Sequence, residues 1–403
     1  MVIVNGPRQA GKTTLLRQYE RDHGADFRTL DTVATREFAE ADPEAFVRTA
    51  DRTVIIDEVQ LGGDRLIRAI KQVVDGSQRP GQFVLSGSTR FLTTPGISES
   101  LAGRAVFTEL WPMSLAELTE TTESSLLPRA FADPRSMIEH TSSDWTRDGY
   151  IDAACAGGFP EALRLPDTRV RQRWFAGYVQ TIISRDAGVF ASAQETRLIT
   201  RLLSLVAARS GGLLVFSDLA KSLAITNQTV QTYLDHLDTV FLTSTIPTWS
   251  TNATSRITKA PKVFLTDTGL LAQLRRVGRE TLLTPGAPGL GSLIESFVFT
   301  ELMKSRAVDE DFDLFHFRDR DGREIDFVCE GADGRVVAIE VKASTSPRSD
   351  AGRHLRWLRS KIKDRFAAGI VLYLGQFAGS LGDDIYLLPI SALWGHQPLQ
   401  SSQ

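Results

Sequence analysis

Cysteine is nearly absent. Cys155 and Cys329 are the only two among 403 residues, far apart and without metal-ligand spacing. That excludes a disulfide framework and a thiolate zinc site, and it suits a reducing cytoplasm. The six histidines are scattered, so a histidine zinc centre is not expected either. No apolar run reaches the ~18 residues of a membrane span, and no signal peptide precedes Val2. A cytoplasmic chain without a membrane partner is therefore expected. An excess of positive charge is lacking too: the net charge is −3 and the pI near 6.1. Any nucleic-acid contact must come from local patches. No repeat of the solenoid kind is visible. What remains is globular, 42% hydrophobic and 24% charged, and long enough for about three domains.

The most informative run is Gly6-Pro7-Arg8-Gln9-Ala10-Gly11-Lys12-Thr13, which fits G-x-x-x-x-G-K-[ST]. Apolar Val2-Ile3-Val4 and Asn5 precede it as a short strand, and helical Thr14–Tyr19 follows. Strand, glycine loop and helix form a P-loop, in which backbone N–H groups and the helix N-terminus face phosphate. Gly6 through Thr14 are the expected nucleotide contacts: Gly6, Pro7, Arg8, Gln9, Ala10, Gly11, Lys12, Thr13 and Thr14. Lys12 is expected to reach the β- and γ-phosphates, and the Thr13 hydroxyl to ligate Mg²⁺. Downstream, Thr53-Val54-Ile55-Ile56-Asp57-Glu58-Val59-Gln60 is an apolar strand ending in two acids. Asp57 fits the acid that supports Mg²⁺, and Glu58 the base that polarises the attacking water. A strand ending in a solvated acidic turn is the plainer alternative for that segment taken alone.

Residues 1–112 alternate strands with helices: Phe27–Asp31, Pro43–Ala50, Leu66–Val74, Gln82–Ser88 and Ala105–Phe107 follow the P-loop. This predicts an α/β fold on a parallel sheet, with ligands at the carboxyl ends of the strands. Ser88 and Thr89 then become candidates for bonding the γ-phosphate or the attacking water. Arg90 and Arg104 are candidate arginine fingers, with a surface salt bridge as the alternative for each.

Residues 113–210 read as a polar linker carrying one helix, then a helical region in which Trp174–Ile183 and Thr196–Ala208 have apolar i, i+3, i+4 spacing. Residues 211–280 have the layout of a winged helix-turn-helix. Ser217 caps a helix ending near Ala224, Thr226 caps Asn227–Thr239, and strands follow at Phe241–Ile246 and Lys262–Thr266. The second helix offers acids rather than fixed cations. Asn227, Gln228 and Gln231 could touch bases, but a structural or protein-contact role is favoured.

After the breaker Thr284–Gly289, residues 289–395 form a separate α/β unit, with a tail at 396–403. A helix over Ser292–Ser305 carries Glu295 and Glu301. Strands are predicted at Leu314–Arg318, Glu324–Cys329 and Val336–Lys342, joined by Asp321-Gly322 and Asp333-Gly334 turns. Asp326 and Glu340 sit in apolar strands, where acids are costly unless paired or metal-bound. With the Val341 carbonyl they could hold Mg²⁺ or Mn²⁺, with Lys342 orienting or polarising a water and Glu295 adding a ligand, for phosphodiester hydrolysis. An internal ion pair in a structural sheet is the equal alternative.

Several motifs together resemble a family: the P-loop run, Ile56-Asp57-Glu58, Ser86-Gly87-Ser88 and Leu101-Ala102-Gly103-Arg104, with Gly157-Gly158-Phe159-Pro160-Glu161, Ser184-Arg185-Asp186 and Phe264-Leu265-Thr266-Asp267-Thr268-Gly269-Leu270. The chain resembles prokaryotic AAA+-type (AAA_14-like) ATPases fused to a DUF4143 region, over nearly its whole length. The resemblance implies an ASCE-type P-loop core, a winged-helix middle and a C-terminal restriction-endonuclease-like fold. Asp326, Glu340 and Lys342, with Glu295 before them, match its PD-(D/E)xK pattern. With the residue readings above, the expected protein is an ATP hydrolase using Mg²⁺, with Lys12, Glu58, Ser88 and Arg104 as catalytic candidates and hydrolysis driving movement of residues 151–275 against the C-terminal unit. An ATP-gated nuclease on DNA or RNA and a nucleotide-switched protein-binding module are the alternatives. A protein partner through the winged helix and a homo-oligomer are compatible partners. The first strand starts at residue 2, which raises the expectation of an element upstream. The short start bears on adenine contacts and the sheet edge, not on the phosphate site. The absence of an N-K-x-D run argues for ATP over GTP.

Overall fold

The computed structural model describes residues 1–48, 51–77, 79–90, 101, 103–121, 126–139, 142–187, 192–252, 254, 256, 259–306, 312–348 and 350–395, with backbone alone at 185–187. The end of the helix expected over Pro43–Ala50, Ala102, the side chains of Arg185 and Asp186, and the tail 396–403 lie outside the described residues. Two compact units are present. The first comprises Met1–Pro112 with Asp235–Leu242, the second Met113–Leu234 with Thr243–Gln403. No helix among the described residues is long and apolar enough to cross a membrane.

The first unit is built on strands β1 (Val2–Asn5), β2 (Asp26–Thr29), β3 (Val54–Asp57), β4 (Phe83–Gly87) and β5 (Val106–Glu109). All pair in parallel, in the order β2-β3-β4-β1-β5. β3 is buried along its whole length, as a strand covered on both faces requires. Its alternation sends Ile56 into one core, with Ile3, Leu66, Ile70 and Phe83. Ile55 enters the other, with Val4 and Leu16. Each fully buried aliphatic side chain contributes about 1.5–3 kcal/mol. Because the strands are parallel, their carboxyl ends line one edge, and β4 stands between the P-loop strand and the acid-bearing strand.

In the second unit β6 (Gly212–Leu213), β7 (Thr243–Ile246) and β8 (Lys262–Leu265) form an antiparallel sheet in the order β6-β8-β7. Helices Thr168–Ala187, Ala193–Ala208 and Phe216–Leu223, and the part of helix Asn227–Thr239 up to Leu234, precede or interleave with these strands. A mixed sheet follows: β9 (Phe312–Arg318), β10 (Glu324–Gly331), β11 (Val336–Lys342), β12 (Phe366–Tyr373), β13 (Gly379–Gly382) and β14 (Ile385–Pro389). Its order is β13-β14-β12-β11-β10-β9, parallel at β11-β12-β14 and antiparallel elsewhere. One face buries Ile325, Val328, Ala338 and Val371 against Leu355 and Leu358 of helix Arg353–Ile362. Near helix Leu290–Arg306, Phe264 stacks on Phe299 at 4.1 Å.

Two expectations are corrected. The segment after residue 113 holds more than one helix: Leu115–Leu118, Leu126–Ala132, a 3-10 turn at Pro134–Ile138 and the start of Arg147–Ala156. Helices of one or two turns leave no periodic stretch to read, although the Ser114–Glu117 capping box marks the first. Ser217 is not a cap. The helix starts at Phe216 with Val215 at its N-cap, a shift within the usual fraying of helix ends.

The glycine motifs of the middle region meet each other. Asp267, 1% exposed, accepts hydrogen bonds from the N–H groups of Gly158 at 2.7 Å and Leu270 at 2.9 Å. Burial raises its pKa, and those backbone donors work against the shift. A Cβ at Gly157 would lie 2.3 Å from Asp267 Oδ1, and one at Gly269 would lie 2.6 Å from the Ala156 carbonyl oxygen. Nearby, Glu301 accepts from Leu115 N at 2.9 Å and from Lys304 Nζ at 2.7 Å, which pairs a buried acid with a buried base. Gly269→Ala is accordingly expected to lower stability by about 1–3 kcal/mol, since backbone must move to admit the methyl. Gly291→Ala, with open space around its Cβ inside a helix, should raise stability by about 0.5–1 kcal/mol. Denaturant midpoints of the two variants check both signs.

Candidate nucleotide site and carboxylate cluster

The loop after β1 is held in one shape by its own backbone. A Cβ at Gly6 would sit 2.1 Å from the Leu110 carbonyl oxygen, so only glycine permits that approach. Gly11 is the N-cap of helix Lys12–His23 with φ 100°, a left-handed value that a side chain disfavours. Gln9 also has positive φ, 66°. Lys12 is buried and arches back over the loop, its Nζ donating to the Gly6 and Pro7 carbonyls at 2.8 Å each. Burial lowers its pKa to about 8, against the opposing pull of Glu58 and Asp57.

The acids at the end of β3 meet this loop. Thr13 Oγ1 donates to Asp57 Oδ2 at 2.9 Å, and Ser86 Oγ donates to Asp57 Oδ1. A hydroxyl and a carboxylate this close are hard oxygen donors that suit Mg²⁺. Glu58 has left-handed φ, 56°, a conformation costing a non-glycine residue about 1–3 kcal/mol and concentrated at functional sites. Its carboxylate accepts from Ser88 Oγ at 3.0 Å and from Gln60 Nε2, which also donates to Ser88 Oγ at 3.0 Å. Lys12, Thr13, Asp57, Glu58 and Ser88 therefore gather at one edge. Sequence reasoning gave no role to Ser86 or Gln60. The signal for Ser86 was a lone hydroxyl late in an otherwise apolar strand.

The arginine candidates fare differently. Arg104 does not line this chain's phosphate loop. It precedes β5 at the amino edge of the parallel sheet, where its carbonyl accepts from the Met1 amino group at 3.0 Å and its guanidinium pairs with exposed Asp75. That position is the amino edge because Arg104 stands just before a strand of a parallel sheet, and the surface salt bridge given as its alternative is what forms. Arg90 does follow β4 at the carboxyl edge, but Glu109 at 3.1 Å and Asp238 engage it, and its guanidinium lies over Phe241. All of these lie in the first unit, which takes in Asp235–Leu242.

The second constellation is also assembled. β10 and β11 pair Phe327 with Ile339, so Asp326 and Glu340 are opposed one step further on. Asp326 Oδ2 accepts from Val341 N at 2.9 Å, and Lys342 Nζ donates to Glu340 Oε1 at 2.6 Å. Glu295 is pushed up to about 8 by burial and the Asp326 charge. Glu340 is pushed up to about 7 by the same two causes. Sequence reasoning missed Lys262, 1% exposed, whose Nζ lies 2.8 Å from Glu295, 2.9 Å from Glu324 and 3.4 Å from Asp326. Burial disfavours its charge, but the three carboxylates outweigh this and raise its pKa. Among the described residues no three His, Cys, Asp or Glu side chains are placed to hold a metal ion. The two acids expected to hold Mg²⁺ or Mn²⁺, Asp326 and Glu340, thus have ammonium neighbours, Lys262 at Asp326 and Lys342 at Glu340. Asn227, Gln228 and Gln231 are exposed on their helix.

Three families match consecutive parts of the chain: an AAA domain (AAA_14) over residues 1–119, a domain of unknown function (DUF8612) over 147–281, and another (DUF4143) over 290–393. The Gly157–Glu161 and Phe264–Leu270 motifs thus fall in the DUF8612 match rather than in DUF4143. An uncharacterized protein of Mycobacterium tuberculosis is 27% identical over 394 residues, covering 96% of this chain and 80% of that protein. One of Methanocaldococcus jannaschii is 20% identical over 375 residues, covering 90% and 78%. Among solved structures, the Holliday junction branch migration motor RuvB of Thermotoga maritima is 19% identical over 61% of this chain and 82% of that one, at a TM-score of 0.28. A likeness of that size carries no weight for this chain. The AAA-domain match covers the P-loop and its parallel sheet, and the DUF4143 match covers the mixed sheet toward the C-terminal end.

Proposed function

We propose that the chain is a Mg²⁺-dependent ATP hydrolase. The observation that carries this reading is the Thr13–Asp57 hydrogen bond, which joins the glycine loop to the acid-bearing strand beside Lys12 and Glu58. Lys12 exchanges the Gly6 and Pro7 carbonyls for the β- and γ-phosphate oxygens, and the loop N–H groups from Gly6 to Thr14 complete the cradle. Thr13 and Asp57 hold Mg²⁺, which when bound neutralises charge on the phosphates. Glu58 orients and polarises the attacking water, and Ser88 fixes the Glu58 carboxylate through its hydroxyl. ATP is favoured over GTP because the sequence lacks an N-K-x-D guanine-reading run.

Hydrolysis is proposed to drive movement of residues 151–275 against the C-terminal nuclease-like unit. Helices Phe216–Leu223 and Asn227–Thr239, followed by β7 and β8, support a winged-helix reading of residues 211–280. The exposed second helix is proposed to contact a protein partner, with DNA or RNA through Asn227, Gln228 and Gln231 as the less favoured ligand.

Glu58→Gln should retain ATP binding and lose roughly 10²-fold or more of phosphate release, whereas Lys12→Ala should lose binding itself. Unchanged turnover in both variants would overturn the assignment. The Lys12 pKa of about 8 adds a pH dependence. Only the charged lysine pairs well with phosphate, so bound nucleotide raises its pKa and binding above pH 8 takes up a proton. ATP affinity should therefore fall by up to about tenfold per pH unit above 8. Calorimetry in buffers of different ionisation heat reads the proton uptake, and Lys12→Arg should remove it.

A further inference from the structure

The pattern Asp326, Glu340, Lys342 with Glu295 implies a divalent cation, and the folded arrangement does not suit one. The cation already present is an ammonium. Lys262 comes from β8, outside the Asp326–Lys342 strands, and its Nζ stands within 3.4 Å of Glu295, Glu324 and Asp326. The remaining acceptors are mostly spent: Asp326 Oδ2 on Val341 N, and Glu340 Oε1 on Lys342. Glu340 Oε2 is buried and lacks a hydrogen-bond partner among the described residues. A divalent ion placed among these acids would have to share the space with a positive charge a few ångströms away, in surroundings where water screens little.

We propose that Lys262 is a resident cation that fills the carboxylate cluster, so that the DUF4143 region as folded binds no divalent metal there. The same ammonium ties β8 to β10 and to helix Leu290–Arg306. Breaking a buried pair of this kind by removing one partner leaves uncompensated charge, which is the condition under which a divalent ion would be drawn in. Glu340 Oε2 would then be its open acceptor. The inference is independent of ATP hydrolysis, since none of these residues belongs to the glycine-loop site.

The test is Mn²⁺ binding to the full chain without nucleotide, followed by the electron paramagnetic resonance of free Mn²⁺. Wild type and Asp326→Asn should take up the same amount, because weak uptake at Thr13 and Asp57 cancels between them. Lys262→Met should gain about one Mn²⁺ per chain, and Lys262→Met/Asp326→Asn should lose it. A wild-type chain that binds one Mn²⁺ lost in Asp326→Asn overturns the proposal, and that comparison stands even if Lys262→Met fails to fold. A cooperatively melting Lys262→Met chain that gains no Mn²⁺ overturns it as well.

Discussion

The Asp57 carboxylate has both oxygens engaged, one by Thr13 at the loop–helix junction and one by Ser86 on β4. Through that one side chain three elements of the first unit are pinned: β3, which carries it, the neighbouring strand β4, and helix Lys12–His23. A carboxylate that is only 2% exposed is tolerable only when its lone pairs are met. Each hydrogen bond to a charged group contributes about 1.5–3 kcal/mol, so the loop is fixed in place rather than left to close on a ligand. Parallel pairing makes this geometry possible. It sends every strand's carboxyl end to one edge, and with β4 between β1 and β3 the loop faces the acids across one strand's width.

A second buried carboxylate does comparable work in the second unit. Asp267 caps helix Thr268–Arg275 through Leu270 N and also receives Gly158 N, from a segment 109 residues away. The price of that compactness is side-chain volume: Gly157 presses on the carboxylate itself, Gly158 on the Met113 carbonyl and Gly269 on Ala156. Three glycines that look like ordinary helix breakers are thus places where two backbones, or a backbone and an acid, approach within the radius of a methyl group. Chain flexibility is not what they supply.

What the sequence makes legible follows from locality. The glycine loop is a local pattern, so Gly6–Thr13 and the strand before it are readable residue by residue. The acids of Thr53–Gln60 are readable because an apolar run ends in them. Strand order is not local, so nothing in Phe83–Gly87 announces that β4 lies between β1 and β3, or that Ser86 bonds Asp57. For Arg104 the sequence left an arginine finger and a surface salt bridge open, and the fold shows the salt bridge, with Asp75. The stretch from Arg353 to Pro389 passed without individual elements, although Phe366–Tyr373 supplies a central strand of the mixed sheet. A short apolar run is ambiguous between strand and buried helix until a partner is known. Lys262 is the clearest case. Within Lys262-Val263-Phe264-Leu265 it reads as the polar start of a strand, and only tertiary structure brings Glu295, Glu324 and Asp326 to it.

The two buried lysines show why environment, not residue type, assigns a role. Lys12 is hydrogen-bonded to two carbonyls and lies near acids without pairing to them. Burial wins, its pKa falls to about 8, and its charge is poorly compensated. Such a group gains from an incoming phosphate, because an anion supplies the counter-charge that two neutral carbonyls do not. Lys262 is surrounded by three carboxylates within 3.4 Å. Coulombic attraction wins there and its pKa rises, so its charge is already compensated and an added anion would be repelled by the acids. The first lysine is built to exchange partners and the second to keep them. A signature of charged residues in each unit, equally visible in the sequence, therefore has opposite meanings. In the glycine loop the cation rests on two neutral carbonyls, and among Glu295, Glu324 and Asp326 it has its counter-charges already.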